Sequence, residues 1–259
     1  MNLSKYIKLM YHSIHTDFIL TPIQEVLVEG INACRAIGDG LETQPLSEYI
    51  QSSLFLKITG ALEQKLKCIC WEIATHDYSF RYDFIQGRHQ LGECSDYKSK
   101  NKIYNLLLNQ IYKINGQYQT VSDNSVKGTL IDGVIEDIKR IFEDTNVSTW
   151  EQNPFAFYKD NIRSRFIKEQ ILIDSGGKSG QKLFESMLQN DYEKIVYEHR
   201  NRLAHNTTSY QRRLPQLNTI AADEYRWHNY FYRYSLLLLI DAIFIKLYKD
   251  YKVCLESSF

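Results

Sequence analysis

Arg200 and His205 stand five positions apart in the stretch Glu198-His199-Arg200-Asn201-Arg202-Leu203-Ala204-His205-Asn206. An arginine keeps its proton at any ordinary pH, whereas a histidine gains or loses one near neutrality. A fixed cation beside a proton shuttle suits chemistry on a phosphodiester, because one group holds charge while the other moves a proton. The residues around them add to that charge. Between His199 and Arg233 lie six arginines (Arg200, Arg202, Arg212, Arg213, Arg226, Arg233), no lysine, and two acids, Asp223 and Glu224. Arginine favours bidentate contact with phosphate, so this window is expected to touch phosphate. Tyr210, Tyr225, Trp227, Tyr230 and Tyr232 interleave with the charges and are of a type that stacks on unpaired bases. The plainer alternative is a solvated helix face with its arginines laid over a half-buried aromatic layer.

Spacing limits what one copy of the chain can do. Each residue of an α-helix turns about 100°, so side chains five positions apart point roughly 140° away from each other. Arg200 and His205 then converge on one ligand only if the helix loosens before His205 or a second copy completes the site. Asn201 lies four positions from His205 and shares its face.

Written as Arg-Asn-x-x-x-His over residues 200–205, the stretch resembles the signature of the HEPN superfamily, all-helical domains of which many are metal-independent endoribonucleases. The resemblance implies a homodimer in which two arginines and two histidines line a shared cleft, with RNA as substrate and neither cofactor nor metal. His205 would act as general base or acid on the ribose 2′-hydroxyl, Arg200 would stabilise charge developing on phosphate, and Asn201 would orient the pair or bind RNA. Arg202, Arg212 and Arg213 would contact the RNA. The products would be a 2′,3′-cyclic phosphate and a 5′-hydroxyl. Such domains commonly serve as microbial defence or toxin effectors, which brings in a regulatory or antitoxin protein as a partner. One departure is Thr207, where members paired with nucleotidyltransferase antitoxins carry tyrosine. The rival from another class is a non-catalytic helical module that binds nucleotide, RNA or a partner protein.

Composition agrees with a helical protein. Of 259 residues, 44% are hydrophobic and 24% charged, and only four are proline and twelve glycine, which favours long helices over a turn-rich β architecture. Lysine plus arginine and aspartate plus glutamate both count 31, so any nucleic-acid face must be local. The five cysteines form no C-x-x-C pair and read as reduced thiols of a cytoplasmic protein. His12 and His15 are three apart without a third ligand, and His89 and Cys94 match no metal spacing. Met1 to Met10 has no apolar core of signal-peptide length, and the run Leu236 to Ile245 contains Asp241 and falls short of the ~20 residues of a membrane span.

The elements that must position the motif read as one all-α domain, a HEPN-like bundle over residues 46–250 with an N-terminal elaboration over 1–45 and additional mid-chain helices. A helix capped by Thr21 with Pro22 and Gln24 is expected to run to Ala36 and stop at Gly38 and Gly40. The next, Ser47 to Thr75, carries Phe55, Ile58, Leu62, Leu66, Ile69 and Ile73 as an apolar stripe. On it Glu63 is expected to pair with Lys67 in solvent, with an active-site role as the less favoured reading. His76 to Tyr97 reads as a connection, Lys100 to Ile114 and Thr129 to Phe142 as helices, Glu143 to Phe157 as a loop, and Asn161 to Leu172 as a helix. Asp174 to Gly180 lacks the full phosphate-loop pattern and reads as a turn. From Lys182 a helical pattern runs on, breaks at Asn190-Asp191, and resumes to carry Arg200 to His205. A last long helix is expected over Asp223 to Tyr248.

Overall fold

The structure, a computed structural model, describes residues 13–38, 40, 42–119, 123–173, 181–205 and 222–257. It is all-α apart from one two-stranded ribbon. In chain order the helices are α1 (Ile14–Leu20), α2 (Gln24–Cys34), α3 (Pro45–His76), α4 (Tyr78–Ile85), α5 (Tyr97–Ile114), α6 (Asn124–Phe142), α7 (Asn146–Trp150) and α8 (Gln152–Arg165). The strands β1 (Ile171–Ile173) and β2 (Lys182–Phe184) then pair antiparallel, with Ile171 opposite Phe184 and Ile173 opposite Lys182. After them come α9 (Ser186–Asp191), a π-helical segment (Tyr192–Tyr197), α10 (Glu198–His205), a 3-10 turn (Asp223–Trp227) and α11 (Tyr230–Ser257).

Helix α11 is the centre of the bundle. Its residues from Tyr230 to Asp241 are all buried, and it packs against α1, α3, α5, α6, α8 and the π segment. A helix apolar on every side can only be stable when surrounded in this way. Helix α3, 32 residues and so about 48 Å long, lies beside it. The stripe Phe55, Ile58, Leu62, Leu66, Ile69 and Ile73 is wholly buried, as its spacing predicts. Between the two helices the ammonium of Lys65 meets the Asp241 carboxylate, both almost fully buried. Lys65 Nζ also donates to the Thr21 carbonyl at 2.7 Å, and Asp241 accepts from the Ile23 N–H at 2.9 Å.

That last bond explains one correction. Thr21 does not cap α2; it follows α1 and its hydroxyl donates back to the Asp17 carbonyl. The start of α2 takes its acceptor from Asp241, more than two hundred residues away, which no local pattern reveals. Other shifts have local causes. Asp96 and Asp123 accept from Ser99 and Ser125 N–H groups, so α5 and α6 begin earlier than their apolar residues suggest. Helix α4 occupies part of the expected connection, capped by Asp77, before the turn with Gly87 (φ +66°) and Gly92 (φ +58°). The expected loop over 143–157 is instead α7 and α8. Thr145 and Ser148 build the capping box of α7, and Pro154 sits in the first turn of α8, where no N–H is needed. The apolar runs near 171 and 184 are strands and not helix, as short apolar runs fit either period. Tyr97 fixes the ribbon on α5, its hydroxyl donating to the Phe184 carbonyl and accepting from the Phe184 N–H, each at 3.0 Å. Helix α11 starts seven residues later than expected, where Asn229 accepts from Tyr232 N–H at 2.9 Å.

No helix among the described residues is long and apolar enough to cross a membrane. The expected turn at Asp174 to Gly180, and His12 of the histidine pair, lie outside the described residues.

Candidate functional site

The motif sits on α10, and what precedes it is unusual. From Tyr192 to Tyr197 the chain is π-helical, wider than an α-helix, and the break expected at Asn190-Asp191 is instead the last turn of α9 running straight into it. Such segments recur at functional sites because they release carbonyls and re-aim side chains. Here Arg233 takes up the freed Ile195 carbonyl through its Nε at 3.0 Å. The widening lies before Arg200. From Glu198 to His205 the helix is regular, so Arg200 and His205 stay splayed, and a loosened helix does not bring them together within one copy.

Arg200 points toward α3. Its Nη2 lies 3.2 Å from Glu63 Oε2, and its Nη1 3.5 Å from Asn201 Oδ1. The Arg200 side chain is 24% exposed and Glu63 11%, so the pair sits in a recess with the guanidinium partly open to solvent. Glu63 therefore pairs with Arg200 and not with Lys67, whose ammonium instead reaches Glu93 at 2.7 Å. Lys100, which the sequence did not single out, acts electrostatically with this pair. It is fully buried, donates to the Cys94 and Ser95 carbonyls at 2.6 and 2.9 Å, and covers the Tyr192 ring. Desolvation pulls its ammonium down to about 8, with the nearby Glu63 acting the other way. Glu63 thus contacts the Arg200 guanidinium directly and acts electrostatically on the buried Lys100.

His205 ends α10 and is exposed, and Asn201 is half-buried. Arg202 is also half-buried; its Nη2 lies 3.5 Å from His199 Nδ1. Arg212, Arg213 and Tyr210 lie outside the described residues. The expected stacking surface is corrected for three of its members. Trp227, Tyr230 and Tyr232 are buried, packed on Phe157, Phe55 and Phe166, and serve the core. The Tyr232 hydroxyl donates to Asp191 at 2.5 Å, so even its polar end is used internally.

His199 is a further residue the sequence reading passed over, although it adjoins Arg200. Its ring lies 5.1 Å from Phe55 and its Nε2 3.1 Å from the Tyr230 hydroxyl, which donates to Glu48 at 2.9 Å. Burial first, then Arg233, Arg202 and His228, hold its imidazole down to about 2, so it is neutral. Arginine has only donors, which makes Nδ1 the acceptor and puts the proton on Nε2. Its i, i+3 spacing to Arg202 was the one signal available.

All five cysteines are free, and among the described residues no three of histidine, cysteine, aspartate and glutamate are grouped to hold a metal ion. No family model, curated protein or solved structure matches the chain.

Proposed function

We propose that this chain is a metal-independent endoribonuclease of the HEPN type that works as a homodimer with a composite site. The observation that carries the reading is the Arg200–Glu63 pair: a guanidinium steered by a carboxylate on the longest helix, with donors left facing solvent. A cation fixed this way can meet charge developing on phosphorus without reorganising at the moment of reaction.

In the proposed step His205 takes the proton of a ribose 2′-hydroxyl, and O2′ attacks the adjacent phosphorus. The bond from phosphorus to O5′ breaks. Water supplies the proton to the leaving O5′, and the hydroxide left behind takes up the proton held by His205, giving a 2′,3′-cyclic phosphate and a 5′-hydroxyl. Arg200 stabilises the charge on the phosphate oxygens, and Asn201 orients Arg200 through its amide oxygen. Because α10 is regular, the arginine and histidine that act together come from different copies. A role as a microbial defence or toxin effector under a regulatory or antitoxin protein rests on the family resemblance alone.

The splay of Arg200 and His205 also favours, for an isolated copy, a non-catalytic module binding nucleotide, RNA or a partner protein. Sedimentation of the purified chain combined with an RNA cleavage assay separates the readings. A dimer that cuts supports the proposal, and a monomer that binds RNA without cutting supports the rival.

A further inference from the structure

On the side of α10 away from Glu63 lies a second group of cationic side chains that the proposed cleavage does not use. Adjacent helical residues point about 100° apart, so while Arg200 points to Glu63, His199 sits between Phe55 of α3 and Tyr230 of α11, with Arg202 beside it. Arg233, in the first turn of α11, is only 5% exposed. Its Nε is bound to the Ile195 carbonyl, and its guanidinium lies 5.0 Å from the centre of the Tyr230 ring. His228, half-buried just before α11, stacks on Tyr225 at 4.8 Å. Arg233 and Arg202 act electrostatically on both histidines, and Lys194 acts on His228.

The acid that faces this group is Glu48, and its Oε1 already accepts from the hydroxyls of Tyr230 and Ser52. Among the described residues no carboxylate lies within ion-pair distance of Arg202 or Arg233. A buried charge is normally paired, because leaving water costs it more than packing returns. Arg233 is nineteen-twentieths buried, and among the described residues it meets a carbonyl and a ring. The histidines report the same surplus of positive charge. After burial, the arginines are what hold His199 to about 2 and His228 to about 4.

We infer that Arg202, Arg233 and His228 form a phosphate-binding site, with His199 behind Arg202 as its positioning residue. Two guanidinium forks match phosphate oxygens, and an imidazole N–H adds a third donor. The His199 lone pair on Nδ1 gives Arg202 a fixed acceptor, and its Nε2 proton is anchored through Tyr230 to Glu48. The phosphate belongs either to an RNA strand crossing α10 beyond the cleavage site or to a free nucleotide. The chemistry is common to both, and the site stands whether or not the chain cuts RNA.

The test uses the full chain carrying His205→Ala, so that no probe is consumed, with the His228 imidazole titrated by NMR. The probes are inorganic phosphate, a nucleoside 5′-monophosphate and a short single-stranded RNA. At least one is expected to raise the titration point of His228 by about one pH unit. Arg202→Gln is expected to abolish that rise and weaken binding about tenfold. His199→Asn, whose amide oxygen replaces the Nδ1 acceptor, should bind like the parent, and His199→Gln, which lacks it there, should bind like Arg202→Gln. This split is not expected of a merely structural histidine. If RNA alone binds, with a log–log salt slope that falls by about 0.7 in Arg202→Gln, the site belongs to an RNA track. If phosphate and monophosphate bind as well as RNA, it is a nucleotide site. Unmoved His228 titration with all three probes, or parental binding by Arg202→Gln, would overturn the inference.

Discussion

Arg200 on α10 and Glu63 on α3 meet at 3.2 Å, joining the motif helix to the longest helix of the bundle. The pair is partly exposed, so its worth to folding is below about 1 kcal/mol. Its worth to function is positional. Glu63→Gln is expected to lower the rate of RNA cleavage roughly tenfold, because a misplaced cation stabilises the transition state poorly. The melting temperature should move by no more than about two degrees. Unchanged cleavage with unchanged stability would show that Arg200 needs no such partner.

The buried Lys65–Asp241 pair behaves differently. Removing one partner leaves a charge in the core, and Lys65→Met is expected to cost about 3–5 kcal/mol in urea unfolding. The double variant Lys65→Met/Asp241→Leu should recover most of that loss, since neither charge then remains buried. A double variant as unstable as the single one would mean that the bonds to Thr21 and Ile23, not the charges, hold this junction.

Acid should weaken the fold through His199 and His228. In the unfolded chain both take a proton below about pH 6.5, whereas the folded protein keeps them neutral down to about 2 and about 4. The unfolded state then binds more protons, so stability is full above pH 6.5 and drains away as the pH falls toward 4. Each histidine contributes a slope of at most about 1.4 kcal/mol per pH unit, and less here because both keep some contact with solvent. His199→Asn should flatten the curve between about pH 6 and 4.5. An equally steep curve in the variant would place the acid sensitivity elsewhere.

The sequence reveals the fold class through three- and four-residue apolar spacing, and the stripe on α3 and the core of α11 lie where that spacing puts them. It reveals less where a partner is distant. The acceptor at the start of α2 is Asp241, and the partner of Arg200 is Glu63, 137 positions away. Neither pairing has a local signature, and the i, i+4 spacing of Glu63 to Lys67 points to the wrong partner. The aromatic residues after the motif illustrate a different limit. Trp227, Tyr230 and Tyr232 have the composition of a stacking surface, but burial decides their role, and they are core. His199 was adjacent to the motif, yet only its seat between Phe55 and Tyr230 gives it a place in the site.

The regular geometry of α10 predicts complementation between copies. Arg200→Ala and His205→Ala homodimers should each be inactive. After subunit exchange, half of the molecules are mixed dimers with one of two sites intact, so activity should return to about a quarter of the parental value. Mixing without any recovery would mean that both residues act within one copy.

The most direct measurement incubates the parental chain and His205→Ala with end-labelled RNA in EDTA and maps the product ends. A 2′,3′-cyclic phosphate and a 5′-hydroxyl from the parental chain, with none from the variant, is the expected result. Equal cleavage by both proteins, or ends carrying 5′-phosphate, would contradict the assignment of His205 and the metal-independent mechanism.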